Sequence, residues 1–387
     1  MLKVDVIIIS FEVVYAKKTK GGGAEIMRRA EMLIENGFNV KILSFGKPSE
    51  QTTRPDIETV IRREISLLDV LRLRPMPIAS RPFGAIKKYV KNDTGAIFLI
   101  EGFQSSSILV DSDLLENSQV FLRVHNWESK YHLQMSLGAR GIRKLYHYLT
   151  YLQYTKYENI LINSVKSLYH ISSLEQNLMR LEYPSAKHEL FSPISKPIPC
   201  TNKKGKFQRI IIFGDMTVPG NSAGLQWFID NVWEKIHHQF DHLTLDIYGI
   251  GSERFAGFGI NGYGYVNDIS EKLSEKSSLL IMPVMYGGGV KIKAIDVISS
   301  GIPCIYSKKA LEGIDERICS ELPKFNTDNP VECVREVRKA IEFTDEMYRI
   351  AEKSSIVSEK YHSGAEFLNA MIRAGDKSND SNINSGI

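Results

Sequence analysis

The sequence predicts an α/β protein made of two Rossmann-like, doubly wound domains that face an interdomain cleft. Its 387 residues exceed one ordinary domain and suit two of roughly 150–200 residues. In both halves, β-rich apolar runs alternate with amphipathic segments of helical period, which is typical of parallel sheets covered by helices. Between residues 193 and 206 the alternation gives way to a polar, proline-rich stretch, which is typical of an interdomain linker.

The first half begins with a β-rich run that predicts a strand over Val4–Ser10. A helix is predicted from Ala24 to Asn36, and Gly37 stands where a left-handed C-terminal cap belongs. The apolar residues that share one face of this helix are Ile26, Ala30, Leu33 and Ile34. Later strands are predicted at Val40–Ser44, Ile97–Ile100, Val120–Val124 and Ile160–Ile162.

The second half restarts with a strand over Arg209–Phe213 and a helix that Ser222 is expected to cap and that reaches about His238. Further strands are predicted at Leu243–Tyr248, Ser278–Met282 and Cys304–Tyr306, and further helices at Val290–Ser300, Pro330–Phe343 and Asp345–Ala374. We therefore expect an N-terminal domain over 1–192, a linker over 193–206, a C-terminal domain over 207–344, a helix over 345–375 and a disordered tail over 376–387.

Composition excludes several classes of protein. With 49 basic and 45 acidic residues, the net charge of +4 does not favour a dedicated nucleic-acid-binding protein. The 4 cysteines form no C-x-x-C pair, which argues against a disulfide framework or a structural metal and favours a reducing compartment. No stretch approaches the ~18 consecutive apolar residues that cross a bilayer. We expect a cytoplasmic protein. Peripheral contact with the inner face of a membrane is an open alternative.

The most informative motif is a triple glycine, Gly287–Gly289, that follows a predicted strand and precedes a helix. Consecutive backbone N–H groups at a helix N-terminus favour an anion such as a phosphate. Lys291 and Lys293 oppose the helix dipole at this end, a conflict with local stability that a bound phosphate would resolve. Asp296 lies further along the same helix, where a carboxylate could reach ribose hydroxyls. The alternative is a flexible glycine turn before an ordinary helix.

Several stretches resemble retaining GT-B glycosyltransferases, and most closely the family often numbered 4, the glycosyl transferases group 1. The similarity is strong over about Phe213–Glu312 and patchier before Pro193; its segments include Gly22–Glu25, Asn36–Val40, Arg123–Glu128, Gly264–Ile269 and Gly287–Gly301. The resemblance implies a nucleotide-activated sugar held mainly by the C-terminal domain and an acceptor held mainly by the N-terminal one. It further implies metal-free transfer with retention of anomeric configuration.

Carried over residue by residue, the resemblance implies catalytic roles for Lys293, Lys291 and His125, with His125 near the reacting sugar. Gly22 and Gly23 match the loop that approaches the donor phosphate or the acceptor. The positions implied to bind the donor are Gly287, Gly288, Gly289, Val290, Asp296, Gly214, Asp215, Gly249 and Val266. His125 has the alternative interpretation of a capping or core histidine at a strand end.

The sequence departs from this family at two places. The family has two glutamates separated by seven residues, and here their positions are occupied by Gly288 and Asp296. The family's Arg and Lys pair after the strand that ends at Gly214 is also missing. Lys291 and Lys293 are therefore the leading cations for a departing diphosphate.

Other motifs carry weaker hypotheses. Asp111–Asp113 has the D-x-D form that holds a metal in another glycosyltransferase fold, but it lies where acids begin a helix. Gly249–Ser252 lacks the third glycine of a dinucleotide loop. Glu128 is either a functional acid or a first-turn helix acid.

A basic stretch over 61–91 combines eight basic with two acidic residues. It could contact an anionic membrane that carries a lipid-linked acceptor. Solvated helix faces around a core stripe explain it as well. The interleaved apolar residues are Leu67, Leu68, Leu71, Met76, Ile78 and Phe83.

The leading interpretation is a glycosyltransferase of the hexosyltransferase type. It would move a sugar from a UDP- or GDP-linked donor to a glycan or lipid-linked acceptor, in a polysaccharide-building pathway, without a metal or other cofactor. The alternative is a catalytically silent GT-B partner subunit that binds a nucleotide or another transferase. A nucleotide-sugar epimerase on the same fold is not favoured, because no set of extra catalytic acids is evident.

Overall fold

The computed structural model describes residues 4–14, 21–47, 54, 56–64, 74–90, 95–111, 119–199 and 204–384. The chain divides into two compact units. Unit 1 comprises Met1–Ile194 and Gly364–Ile387, and unit 2 comprises Ser195–Ser363. The boundary between them falls at the start of the stretch predicted as a linker.

Unit 1 is built on a parallel sheet of seven strands in the order β3-β2-β1-β4-β5-β6-β7. The strands are β1 (Asp5–Ser10), β2 (Asn39–Gly46), β3 (Ile57–Ile61), β4 (Ile97–Glu101), β5 (Gln119–Val124), β6 (Ser167–His170) and β7 (His188–Leu190). The helices between them are α1 (Gly21–Glu35), α2 (Met76–Ala79), α3 (Phe83–Val90), α4 (Ser107–Asp111), α5 (Glu128–Gly138), α6 (Gly141–Asn163) and α7 (Ser173–Glu182).

Unit 2 has a parallel sheet of six strands in the order β10-β9-β8-β11-β12-β13. Its strands are β8 (Arg209–Phe213), β9 (Thr244–Tyr248), β10 (Ile260–Gly262), β11 (Ser278–Met282), β12 (Cys304–Ser307) and β13 (Lys324–Phe325). Its helices are α8 (Pro219–Phe228), α9 (Glu234–His237), α10 (Ile269–Glu275), α11 (Ile292–Ser299), α12 (Glu316–Cys319), α13 (Pro330–Glu342) and α14 (Thr344–His362). The prediction of two α/β domains, each built on a parallel sheet, is confirmed.

The central strands are buried on both faces, as helices on both sides of a parallel sheet require. In β1, Ile7 and Ile9 belong to one hydrophobic cluster, while Val6 and Ile8 belong to the cluster on the opposite face. Unit 2 has its own cluster around β8, β9 and β11. Each unit therefore has a separate core. Within each sheet the strands are parallel, so their carboxyl ends lie along one edge of that sheet.

The C-terminal part of the chain differs from the expectation of one helix followed by a disordered tail. Helix α14 ends at His362, and a last helix, α15 (Ala365–Asn384), begins after Gly364. Gly364 has a φ of +80°, a left-handed conformation that glycine adopts readily and that ends a helix. Phe367 and Met371 of α15 pack in the core of unit 1. The helix therefore continues past Asp376, where a disordered tail was predicted, and its packed apolar residues lie between Phe367 and Ala374.

Three other predicted features are wrong. The short apolar run Ile160–Ile162 lies inside α6 and is not a strand, because short apolar runs have the same pattern in buried helices and strands. Ile34, predicted for the buried face of the first helix, is 42% exposed. Helix α8 begins at Pro219 and is not capped by Ser222, because proline suits the first turn of a helix.

The basic stretch over 61–91 is partly described. Met76, Ile78 and Phe83 are buried in unit 1, so these apolar residues pack inward and do not form a surface for a membrane. Leu67, Leu68 and Leu71 lie outside the described residues, as do two residues of the Asp111–Asp113 motif. The part of the stretch that the structure describes thus follows the alternative interpretation of helix faces around a core.

Two kinds of feature are absent from the described residues. No described helix has the length and apolar composition needed to cross a bilayer. No cluster of histidine, cysteine, aspartate or glutamate suited to a metal ion occurs among the residues that the structure describes. Cys304, Cys319 and Cys333 are buried free thiols.

Candidate functional site

The strand order of unit 2 reverses direction between β8 and β11. In open parallel sheets, ligands bind beyond the carboxyl ends of the strands at such a switch point. The loops that begin there are the one after Phe213, at the end of β8, and the one after Met282, at the end of β11. Both loops carry glycines that the sequence singled out, namely Gly214 and Gly287–Gly289.

Lys293 joins these two loops. It lies in the first turn of α11, and its Nζ donates a hydrogen bond of 2.7 Å to the carbonyl of Phe213. The same ammonium lies 5.2 Å from the centroid of the Phe213 ring. Burial lowers the pKa of Lys293 to about 8, since desolvation disfavours the charged form. A partly buried ammonium group therefore lies at the switch point of the second sheet.

The backbone around Gly214 leaves no room for larger side chains. Gly214 has a φ of +147°, and a Cβ there would lie 2.9 Å from Lys293 Nζ. A Cβ on Gly249 would lie only 1.8 Å from the Gly214 carbonyl oxygen. The loops after β8 and β9 are thus in direct backbone contact, which brings Gly214, Gly249 and Lys293 together; their contacts with a donor stay predictions.

The triple glycine forms an exposed turn whose carbonyls are gathered by Lys291. The Nζ of Lys291 donates to the carbonyls of Gly287, Gly288 and Gly289 at 3.2, 3.0 and 2.6 Å. An ammonium has three N–H donors, so these contacts engage all of them. Helix α11 begins two residues later than predicted, with Lys291 at its N-cap. Lys291 therefore orders the turn, and its contact with a diphosphate stays a prediction.

Two acidic residues predicted to bind the donor have protein partners. Asp296 Oδ1 accepts a hydrogen bond of 2.8 Å from the backbone N–H of Lys196. Asp215 Oδ1 accepts from the N–H of Thr217 at 2.9 Å, which fixes the turn after β8. The half-buried Val266 follows Gly264, whose φ is +75°. Their donor contacts, and that of the buried Val290 beside the glycine turn, stay predictions.

In unit 1, His125 follows β5 directly and forms a short hydrogen bond to a buried acid. Its Nε2 lies 2.7 Å from Oε2 of Glu101, the last residue of β4. Burial alone would raise the pKa of Glu101, but Arg29 and the hydrogen bond from His125 lower it to about 2. A carboxylate can only accept, so Nε2 of His125 carries the proton and Nδ1 is the nitrogen with a lone pair in the neutral ring.

Glu101 belongs to a buried ionic network that sequence reasoning missed. Arg29 donates to both carboxylate oxygens of Glu101, at 2.7 and 2.8 Å, and also binds Glu25. Arg123 binds Glu25 at 2.9 Å. Buried charges of this kind must be paired to be tolerated. The only sequence signal was charge at the ends of apolar strands, in Glu101 and Arg123.

Gly22 and Gly23 lie in the first turn of α1, which begins at Gly21. They do not lie in a loop before the helix, as predicted. A Cβ on Gly22 would lie 2.8 Å from a carboxylate oxygen of Glu12 and 3.9 Å from the Phe11 ring. The same ring contacts His125 edge-on, with centroids 5.4 Å apart. The structure therefore groups Gly22 with His125 at the carboxyl edge of the first sheet.

Glu128, the first residue of α5, is buried a short distance along the chain from His125. Its Oε1 accepts from Gln104 Nε2 at 2.7 Å. Burial, with the nearby charge of Glu158, raises the pKa of Glu128 to about 8. His132 is also buried, and desolvation lowers its pKa to about 4. At neutral pH both groups are therefore uncharged, which suits an acid held in a largely apolar site.

Comparison with known proteins gives one matching family model. Residues 208–350 match the model described as glycosyl transferases group 1. A Klebsiella pneumoniae protein, named as an uncharacterized 44.6 kDa protein in a cps region, is 22% identical over 336 residues. That match covers 80% of this chain and 84% of the relative.

Two solved structures are among those with a similar fold. One is the sucrose-phosphate synthase of Thermosynechococcus elongatus, with a TM-score of 0.69 and 11% identity over 98% of this chain and 100% of that one. The other is HepE of Anabaena in complex with UDP and glucose, with a TM-score of 0.62 and 11% identity over 95% and 98%. These likenesses show the GT-B fold.

Proposed function

We propose that this chain, which has the GT-B fold and whose residues 208–350 match the glycosyl transferases group 1 model, transfers a sugar from a nucleotide-sugar donor to an acceptor. The observation that carries the proposal is the position of Lys293. Its partly buried ammonium lies at the switch point of the second sheet, against the end of β8. The glycine turn after β11 precedes the same helix. A cation beside exposed backbone is what a diphosphate requires.

Cleavage of the donor would require specific roles from Lys293, Lys291 and the glycine turn. Cleavage of a glycosyl–phosphate bond builds negative charge on the departing diphosphate. Preorganised N–H groups and cations stabilise such charge without reorganising during the reaction. Lys293 would supply the cation, and the Gly287–Gly289 turn would supply N–H groups. Lys291 keeps the turn in shape by holding its three carbonyls, which leaves the amide groups of the turn for a ligand.

In unit 1, His125 would act on the sugar or the acceptor. Because Glu101 accepts its Nε2–H, Nδ1 would accept a hydrogen bond from a sugar hydroxyl or take a proton from the acceptor. Glu101 is held as a carboxylate by Arg29, so it fixes the tautomer and the ring orientation. We assign Glu101 as a positioning residue for His125.

Four finer features belong to the same proposal. Transfer would proceed with retention and without a metal, as the similarity of the Gly287–Gly301 segment to retaining enzymes supports. The donor would be a UDP- or GDP-linked hexose, and the UDP and glucose in HepE make UDP-glucose the first donor to test. The acceptor would be a glycan or a lipid-linked glycan. Membrane contact of the protein would be peripheral.

The test is release of UDP or GDP from a panel of nucleotide sugars, measured with and without glycan acceptors. We expect turnover with one donor, unchanged by EDTA, and a fall of ~10²-fold or more in Lys293→Ala. Lys339→Ala, on the exposed face of α13, is the matched control and should keep full activity. Loss of activity in EDTA that manganese restores would contradict metal-free transfer.

A second candidate is a silent partner subunit, which the occupied carboxylate of Asp296 favours. Specific nucleotide binding without turnover across the whole panel would support that candidate over transfer. A thermal-shift screen with the same nucleotides separates the two, since a ligand at 100 times its Kd adds about 2.7 kcal/mol of stability.

A further inference from the structure

One helix of unit 1 carries an apolar face with no described partner. The buried residues of α6, among them Thr150, Tyr154 and Leu161, lie on one side. Large apolar residues lie exposed on the opposite side at helical spacing. Ile142 is 84% exposed, and Leu137, just before α6, is 75% exposed. The exposed set, here named the α6 surface, consists of Ile142, Leu145, Tyr148 and Leu152 of α6 together with Met135 and Leu137 of the preceding helix α5.

The chain segment that carries this surface has charged residues of one sign. Residues 129–157 contain five Lys or Arg and no Asp or Glu. All five basic side chains are exposed, and none forms an ion pair with a residue that the structure describes; they are Lys130, Arg140, Arg143, Lys144 and Lys156. Glu128 and Glu158, which flank the segment, are buried. The segment that carries the α6 surface therefore combines exposed apolar and exposed basic side chains and contains no acidic residue between Glu128 and Glu158.

The combination of exposed apolar and basic side chains favours one kind of binding partner over another. A second copy of the chain would bring two basic margins together, and like charges at an interface oppose association. An anionic bilayer satisfies both features, because its acyl boundary accepts leucine and isoleucine while its headgroups attract lysine and arginine. Tyr148 adds an amphipathic ring of the kind enriched at membrane interfaces.

We propose that the α6 surface docks unit 1 on an anionic phospholipid bilayer, with α6 lying flat in the headgroup region. The apolar stripe from Ile142 to Leu152 spans about 15 Å along the helix axis at 1.5 Å per residue, which suits a helix parallel to the membrane plane. The α6 surface is a different membrane contact from the predicted 61–91 stretch, in which Met76, Ile78 and Phe83 are buried. The inference goes beyond sugar transfer and does not depend on it.

The test is co-sedimentation of the full chain with vesicles of phosphatidylcholine alone or of equimolar phosphatidylcholine and phosphatidylglycerol. We expect binding to the anionic vesicles only, weakened by high salt because exposed charges are screened. The double variant Arg143→Gln/Lys144→Gln should bind about 30-fold more weakly. Ile142→Ser/Leu145→Ser should lose about tenfold or more. Both pairs are exposed, so circular dichroism should show unchanged folding.

Matched variants on unit 2 are the controls. Arg338→Gln/Lys339→Gln removes an adjacent exposed pair from α13, and Ile356→Ser removes an isoleucine that is 66% exposed on α14; both should bind like the original chain. Equal binding to neutral vesicles, or unchanged binding of the α6 variants, overturns the proposal. So does a dimer in solution that Ile142→Ser/Leu145→Ser dissociates. A chain that transfers sugar but does not bind these vesicles overturns docking alone.

Discussion

Removal of the Lys293 ammonium should weaken UDP binding and abolish its dependence on pH. The pKa of Lys293 is lowered to about 8 by burial, so its charged fraction falls from about nine-tenths at pH 7 to about one-tenth at pH 9. If the ammonium grips the diphosphate, the Kd for UDP rises about tenfold between these pH values. Lys293→Met removes a hydrogen bond to a charged group, worth about 1.5–3 kcal/mol, and should raise the Kd at pH 7 by about 10- to 100-fold.

Isothermal titration calorimetry with UDP at pH 7, 8 and 9 measures both effects. Titration of Cys304 or of UDP itself would not produce this rise in the Kd for UDP between pH 7 and pH 9. The Cys304 thiol beside Lys293 has a pKa raised far above this range by burial. The phosphate of UDP gains charge as pH rises, which would strengthen binding. Lys339→Met is the control for loss of one lysine. Equal affinity of Lys293→Met and the original chain, with the same pH slope, would refute the role of Lys293.

Three further predictions concern stability, each measured by urea or thermal unfolding. Glu101→Gln should lower the free energy of unfolding by about 3–5 kcal/mol, because it leaves the buried Arg29 with one partner fewer. The stabilisation from Glu101 is fully present above the ordinary carboxyl pKa and is lost as pH falls through about 2. Gly249→Ala should lower the free energy of unfolding by a few kcal/mol (~3), since its Cβ would clash with the backbone of Gly214. Gly84→Ala should not lower the free energy of unfolding. Glu128→Gln should raise the free energy of unfolding more at pH 9 than at pH 6, because burial raises the carboxyl pKa to about 8 and the resulting destabilisation grows as pH rises from the ordinary carboxyl pKa to about 8.

Each stability prediction has an outcome that contradicts it. A change below about 1 kcal/mol in Glu101→Gln would mean that the ionic network is not needed for folding. An added Cβ at Gly84 would meet nothing within 4 Å. If Gly249→Ala unfolded at the same temperature as Gly84→Ala, the close contact between the loops after β8 and β9 would be contradicted. An identical effect of Glu128→Gln at both pH values would mean that the acid titrates normally.

The fold was predictable where buried strands form continuous apolar runs, and the buried but partly polar β6 was missed. Arg209–Phe213 and Ser278–Met282 were predicted to the residue, because both are continuous apolar runs bounded by polar or turn-forming residues. The missed strands include three at sheet edges, namely β7, β10 and β13, which have only two or three residues each. Such short strands are defined by their hydrogen bonds to a neighbouring strand. A sequence pattern of two or three residues does not predict this pairing.

The site was predictable in kind but not in its contacts. Glycines and lysines after a strand point to a diphosphate whatever their partners, so Lys293 and Gly214 could be named from sequence. The partner of Asp296 is a backbone group 100 residues earlier, and Glu101 is 72 residues from Arg29. Contacts at such separation depend on strand order, which one sequence does not reveal. That is why Glu101 and Arg29 were missed.

The crystal structure of the chain with UDP tests the central claim most directly. The account predicts diphosphate oxygens within about 3 Å of Lys293 Nζ, with N–H groups of the Gly287–Gly289 turn donating to the same phosphates. UDP bound elsewhere, with the Lys293 ammonium still on the Phe213 carbonyl and the turn unoccupied, would contradict it.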